Sequence, residues 1–137
     1  WEAIVSFRDW WNATKPTDII GIERTVFSKK YGYAGTIDLI CKINGSWWII
    51  DFKTSQDVYA SHIIQVSAYK NAAIEEMIVE NPKIAILQIG YRRNKNKYKF
   101  TEIEDKFDLF LSAKKIWEYE VSQKQPPQRD YPISIQL

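Results

Sequence analysis

The stretch GTIDLICKINGSWWIIDFKT, residues 35–54, decides the fold. Two runs rich in β-branched and aromatic residues flank Asn44-Gly45, the pair that most favours a two-residue type I′ turn, because both of its positions need positive φ. Taking Asn44 and Gly45 as the loop sets the register by counting outward. Ile43 faces Ser46, Cys41 faces Trp48, Leu39 faces Ile50 and Asp38 faces Asp51. Side chains alternate between faces with period two, so Lys53, opposite Thr36, joins Asp38 and Asp51 on one face.

That register carries an electrostatic conflict. Directly opposed residues have Cβ atoms roughly 4.5–5.5 Å apart, and like charges there repel. Two carboxylates at the end of an apolar hairpin also lose hydration. Either one of them holds a proton or a cation sits between them. A divalent ion is the simplest candidate, and hard oxygen ligands suit Mg²⁺ or Mn²⁺. Lys53, two residues from Asp51 on the same face, is placed to act on a water or a phosphate at such an ion. The same three residues also read as a salt-bridged surface triad with no chemistry attached.

The rest of the chain supplies layers for this hairpin. Residues 1–13 form an amphipathic pattern with Trp1, Ile4, Val5, Phe7 and Trp11 on one side, ended by Lys15-Pro16. Residues 18–28 read as a strand, with Lys29, Lys30 and Tyr31 at a basic, aromatic tip before the hairpin. The run 47–52 is apolar on both faces, as a central strand covered on both sides must be. Ser55 to Asp57 carry cap chemistry for a helix expected to reach residue 79. Projected at 100° per residue, Val66, Ala68, Ala72, Ala73 and Met77 share one arc with His62, Gln65 and Tyr69, while Ser67, Asn71 and Glu75 lie outside it. Gln65 and Tyr69 thus aim at the sheet, and a buried amide there needs a partner such as Lys53 or a phosphate.

Asn81-Pro82 ends that helix, and residues 83–91 form an apolar run fit for a buried parallel strand. A basic turn with Arg92, Arg93 and Lys95 leads to a short alternating strand at Tyr98-Lys99-Phe100. It suits a phosphate backbone and a solvated hairpin equally well, and so does the Lys29-Lys30-Tyr31 tip. Residues 105–122 read as a last helix packing through Phe107, Phe110, Leu111, Trp117 and Val121. The expected fold is α/β: a mixed five-stranded central sheet flanked by helices, in the order α-β-β-β-α-β-β-α, within a single domain.

Composition narrows the classes. Apolar residues make up 45% of the chain and aromatics 15%, which argues against disorder. A net charge of +2 is too small to argue for nucleic acid by itself. The single cysteine, Cys41, falls inside an expected strand, which argues against disulfides and against an iron–sulfur cluster. No apolar run has membrane-spanning length and no signal peptide is visible, so an intracellular setting, cytoplasmic and possible for a viral protein in its host, is expected. The chain starts at Trp1 and not Met, consistent with a fragment lacking a preceding segment.

Gly35-x-x-Asp38 on one strand, Asp51-x-Lys53-Thr54 on the next and Gln65-x-x-x-Tyr69 on the following helix resemble the PD-(D/E)XK nuclease superfamily, most closely its RecB-like exonuclease branch. The resemblance covers about residues 23–91. It implies a restriction-endonuclease-like core and hydrolysis of phosphodiester bonds in DNA, in repair, recombination or phage DNA processing. It also implies that Asp38, Asp51 and the Phe52 carbonyl ligate Mg²⁺ or Mn²⁺, with Glu23 at a position where relatives carry a further acidic ligand. Lys53 would orient or deprotonate the attacking water, and Gln65 and Tyr69 would position Lys53 or the substrate strand. Relatives often supply a histidine ligand from an upstream helix. The only histidine here, His62, follows Asp38 and reads as a core or rim residue. A structure-specific endonuclease, a nuclease fold that binds nucleic acid without turnover, and a structural domain with an ion-pair network remain open on the residues alone.

Overall fold

The computed structural model describes residues 1–90 and 97–124. Its elements run α1 (Glu2–Thr14), β1 (Thr17–Ser28), β2 (Tyr33–Ile43), β3 (Ser46–Lys53), α2 (Ala60–Glu75), β4 (Lys83–Ile89), β5 (Tyr98–Ile103) and α3 (Phe107–Gln123). This is the expected order. The strands form one five-stranded sheet in sequence order, antiparallel except for the parallel pair β3–β4 that α2 connects.

Turn chemistry explains the hairpin at the centre. Asn44 and Gly45 both have positive φ, 50° and 79°, which Asn tolerates and Gly takes without strain. The register that follows pairs Ile43 with Ser46, Cys41 with Trp48 and Leu39 with Ile50. β3 lies in the middle of the sheet, and its Ile49 and Ile50 are fully buried on opposite faces. Burying each such side chain contributes on the order of 1.5–3 kcal/mol.

On one face α2 brings Val66, Ala72 and Ala73 against Val26, Ile37, Ile40, Ile49, Ile84 and Ile86. On the other, α1 brings Trp10, with Ala3, Phe7 and Trp11, against Leu39, Cys41, Ile50, Ala85 and Leu87. Placing Ile37 and Leu39 on opposite faces breaks the strict alternation of β2 at Asp38. Across from it on β1, between the pairs Ile22–Leu39 and Arg24–Ile37, Glu23 has φ 48°. One residue of each strand has dropped out of regular pairing, and such local irregularities re-aim a side chain.

Several helical expectations need correction. The packing face of α1 is Ala3, Ser6, Phe7 and Trp10, while Trp1 and Ile4 are exposed. Ser6 sets that phase: its hydroxyl donates to Glu2 O at 2.8 Å and accepts from Gly90 N at 3.2 Å, so the polar residue is satisfied inside the interface. The approach is close, since a Cβ on Gly90 would stand 2.9 Å from Ala3 Cα. α2 stops at Glu75, short of residue 79, because Met77 takes a left-handed φ of 57° and the Ile78 amide bonds back to Ala73 O at 3.0 Å. That is the paired termination glycine usually provides, here with methionine, and it leaves Met77 exposed. Its start is later too: Ser55 Oγ donates to Asp57 O at 2.9 Å, closing a turn, and Tyr59 is the N-cap. Ser67 is buried, since it donates to Ile63 O and accepts the Lys106 amide that leads into α3. α3 packs through Phe107 and Phe110 onto Tyr31 and Tyr33, while Trp117 and Val121 are exposed. No described helix is long and apolar enough to cross a membrane.

Candidate active site

The site lies where β2 and β3 part. Their pairing ends at Leu39–Ile50, but β3 continues alongside β4 through Lys53–Gln88. The next β3 amide, Phe52 N–H, donates to Asp38 Oδ2 at 2.8 Å. A carboxylate thus replaces a backbone carbonyl at the fork. Asp38 is held by an amide of the strand that carries Asp51.

Asp51 is only 5% exposed. Lys53 Nζ stands 3.0 Å from Asp51 Oδ2 as an ion pair, and the Asp38 carboxyl lies beside them. Burial pushes the Asp51 carboxyl up to about 6, the Lys53 ammonium pulls it down, and the nearby Asp38 charge pushes it up again. The conflict expected from the register is therefore present. The regular face-to-face pair is not: Asp38 reaches Asp51 through the strand irregularity and a splayed ladder end.

α2 contributes the second half. Lys53 Nζ donates to Gln65 Oε1 at 3.3 Å, so the ammonium is held between a carboxylate and an amide. Gln65 itself is exposed and not the buried amide the helical projection implied. Tyr69 is half-buried, and its phenol is raised by burial and by the charges of Asp51 and Asp38. Its ring lies against the backbone of Gly35: a Cβ there would stand 2.1 Å from Tyr69 Cε1. The glycine three residues before Asp38 therefore has a steric reason. His62 sits at the rim, half-buried, accepting from the Tyr59 amide at 3.3 Å through Nδ1. Burial and then the Lys53 charge lower its pKa.

Sequence reasoning missed Gln88. This residue is fully buried beside Lys53 in the parallel ladder, and its Nε2 donates to the carbonyls of Ser55 at 3.0 Å and Gln56 at 2.7 Å. It ties down the loop that leaves Lys53. A glutamine inside an otherwise apolar run, Lys83–Ile89, was the available signal.

Other candidates are not brought into the site. Glu23 is level with Asp38 in the β1–β2 register, yet its left-handed backbone leaves it exposed. Among the described residues no three His, Cys, Asp or Glu side chains converge in a metal-holding group. The Lys29-Lys30-Tyr31 tip is engaged elsewhere. Glu75 accepts from the Lys29 and Lys30 amides at 2.9 and 3.1 Å and from Ser28 Oγ at 2.6 Å, and Tyr31 packs edge-on to Phe107. Those contacts leave the two ammonium groups at the surface but remove Tyr31 as a free stacking platform. Arg92, Arg93 and Lys95 lie outside the described residues.

The donor set fits a divalent cation at one point: two close carboxylates whose mutual repulsion and burial a single ammonium offsets only in part. An ammonium flanking a carboxylate pair, positioned by an amide, can bind a phosphate oxygen or orient a water. A family profile described as the PD-(D/E)XK nuclease superfamily matches residues 2–130. No curated protein matches the chain significantly. Proteins of that superfamily act on nucleic acid and generally use divalent metals such as Mg²⁺.

Proposed function

This chain belongs to the PD-(D/E)XK nuclease superfamily, and on that premise we propose that it is a divalent-metal-dependent DNA nuclease of RecB-like type, acting as an exonuclease in DNA repair, recombination or phage DNA processing. The observation that carries this reading is the buried Asp51 beside a second carboxylate, Asp38, with the Lys53 ammonium 3.0 Å away. A purely structural ion pair gains nothing from a second carboxylate set beside a buried one, since the two like charges repel where hydration is lost.

Asp38, Asp51 and the Phe52 carbonyl would hold Mg²⁺ or Mn²⁺. When bound, such an ion supplies Lewis acidity that activates water and offsets charge developing on the phosphate. Asp38 keeps its geometry through the Phe52 amide. Lys53, fixed between Asp51 and Gln65, orients the attacking water and donates to the phosphate oxygen on which negative charge gathers. Gln65 positions that ammonium, and the Tyr69 ring, seated on Gly35, forms the wall beside it. Glu23 stays outside this ligand set.

The test is cleavage of end-labelled linear and closed circular DNA with Mg²⁺, Mn²⁺ or EDTA. Digestion of linear DNA alone, abolished by EDTA and lowered roughly 10²–10³-fold in Lys53→Ala, is expected. Cleavage that persists in EDTA or in Lys53→Ala refutes the mechanism, and nicked circles replace the exonuclease assignment with an endonuclease. Failure both to bind Mn²⁺ and to cut makes the chain a binding module.

A further inference from the structure

α3 presents an apolar stripe, Phe110, Ala113, Trp117 and Val121, at the spacing of one helix face. Its start is covered: Phe110 meets the Tyr33 ring edge-on at 4.7 Å, and the Tyr33 hydroxyl donates to Ala68 O at 2.7 Å. Its end is bare, with Trp117 62% and Val121 49% exposed, although indoles usually bury most of their surface. Between this stripe, α2 and the start of β2 lies a groove of about 630 Å³. Among the described residues lining it no carboxylate is present, and its one ammonium, Lys114, pairs with Glu118. The groove therefore offers little to a charged ligand and suits apolar side chains.

The sequence that follows α3 carries the matching pattern. Tyr131, Ile133, Ile135 and Leu137 recur with period two, and residues 131–137 hold no charged side chain, so one side of an extended segment there is apolar throughout. Pro126-Pro127 cannot continue the helix. Lengths agree as well. Residues 125–130 can reach about 20 Å, enough to turn the chain back at the end of α3. Residues 131–137, extended, span about 20 Å. The stripe from Phe110 to Val121 runs about 16 Å along the helix axis. The tether holds the segment near the groove at an effective concentration in the mM range, an advantage over any free partner of the same chemistry.

We infer that residues 131–137 dock in this groove as an extended segment, antiparallel to α3, with their apolar side on Trp117 and Val121. The docked segment closes the groove beside Gln65, which accepts from Lys53, and Tyr69, whose ring seats on Gly35. The inference does not use the nuclease reading, and its test uses neither DNA nor metal.

The experiment is amide hydrogen exchange on the full chain, read by mass spectrometry. Burying one isoleucine shifts such an equilibrium roughly 10- to 150-fold. The amides of residues 133–137 should therefore exchange at least about tenfold more slowly than in a free peptide of the same sequence. Ile133→Asp combined with Ile135→Asp should return them to the free rate. So should Trp117→Ala and Ala113→Glu, the latter at a position already exposed and safe for the fold. Loss of protection in either groove variant, with β3 protection unchanged, upholds the inference. Exchange at the free rate in the parent overturns it. Protection indifferent to both groove variants also overturns it, because the segment then docks elsewhere. Protection that fades on dilution, with self-association in sedimentation, does the same, since the groove then takes the segment of a second copy.

Discussion

Replacing Asp51 by Asn should stabilise the protein without metal, and the size of the gain follows from burial. The carboxyl's pKa stands at about 6 in the folded chain against 3.8 when free, raised first by desolvation. A group whose folded pKa is raised favours the fold while protonated. That contribution is complete below about 3.8 and is lost as pH rises through about 6. At about 1.4 kcal/mol per pH unit between the two pKa values, ionised Asp51 costs roughly 3 kcal/mol at pH 8. The Lys53 attraction is already contained in that net figure. Asn keeps the shape and never ionises, so Asp51→Asn should be about 2–3 kcal/mol more stable at pH 8, or roughly 10 °C in thermal midpoint for a chain of this size. At pH 4 the two should coincide. Urea unfolding in EDTA between pH 4 and 8, followed by tryptophan emission, measures this. Added Mn²⁺ should then stabilise the parent, by about 2.7 kcal/mol at a hundred times its dissociation constant, and leave Asp51→Asn nearly unchanged. Parallel pH curves for the two proteins, or an Asn variant less stable at pH 8, would refute the reasoning that the site holds an unfavourable buried charge.

Two further outcomes test the supports around the site. Gly35→Ala puts a methyl group where Tyr69 Cε1 now lies 2.1 Å away, so it should cost about 1–3 kcal/mol and lower cleavage. Adding Tyr69→Ala should return part of the lost stability but not the activity, and an additive double-mutant cycle by urea unfolding would contradict the contact. Gln88→Leu removes both donors that hold the Ser55 and Gln56 carbonyls, and should destabilise by about 1–3 kcal/mol. Amide hydrogen exchange should show faster opening confined to residues 54–59, and unchanged protection there would show that the loop does not depend on this amide.

Much of the fold was readable because it is written locally. Asn44-Gly45 dictates a turn, the turn fixes the register, and the two-sided apolar run after it marks the central strand. What escaped was decided by partners far along the chain. Ser6 faces inward because Gly90 waits for its hydroxyl, which turns the packing face of α1, and Ser67 is buried beside the expected apolar face of α2 because the Lys106 amide meets it. Met77 ends a helix in a conformation that sequence reasoning reserves for glycine. In the site, Asp51, Lys53 and Gln65 were legible from strand and helix periods. The route of Asp38 to them was not, because alternation breaks at that residue and its carboxylate takes a backbone amide. Gln88 was hidden in an apolar run, where only its uncharged polarity marked it.

The fork at the end of β2 divides the site into two mechanical bodies. Asp51 and Lys53 are anchored on the parallel ladder to β4, whereas Asp38 arrives on the β1–β2 ribbon, joined at the fork by the Phe52 amide. A small opening of that ribbon withdraws one carboxylate while the buried middle of the sheet stays intact. On the proposed reading, competence to hold a cation can therefore be lost far below the free energy of global unfolding, so circular dichroism alone would pass a disarmed protein as native.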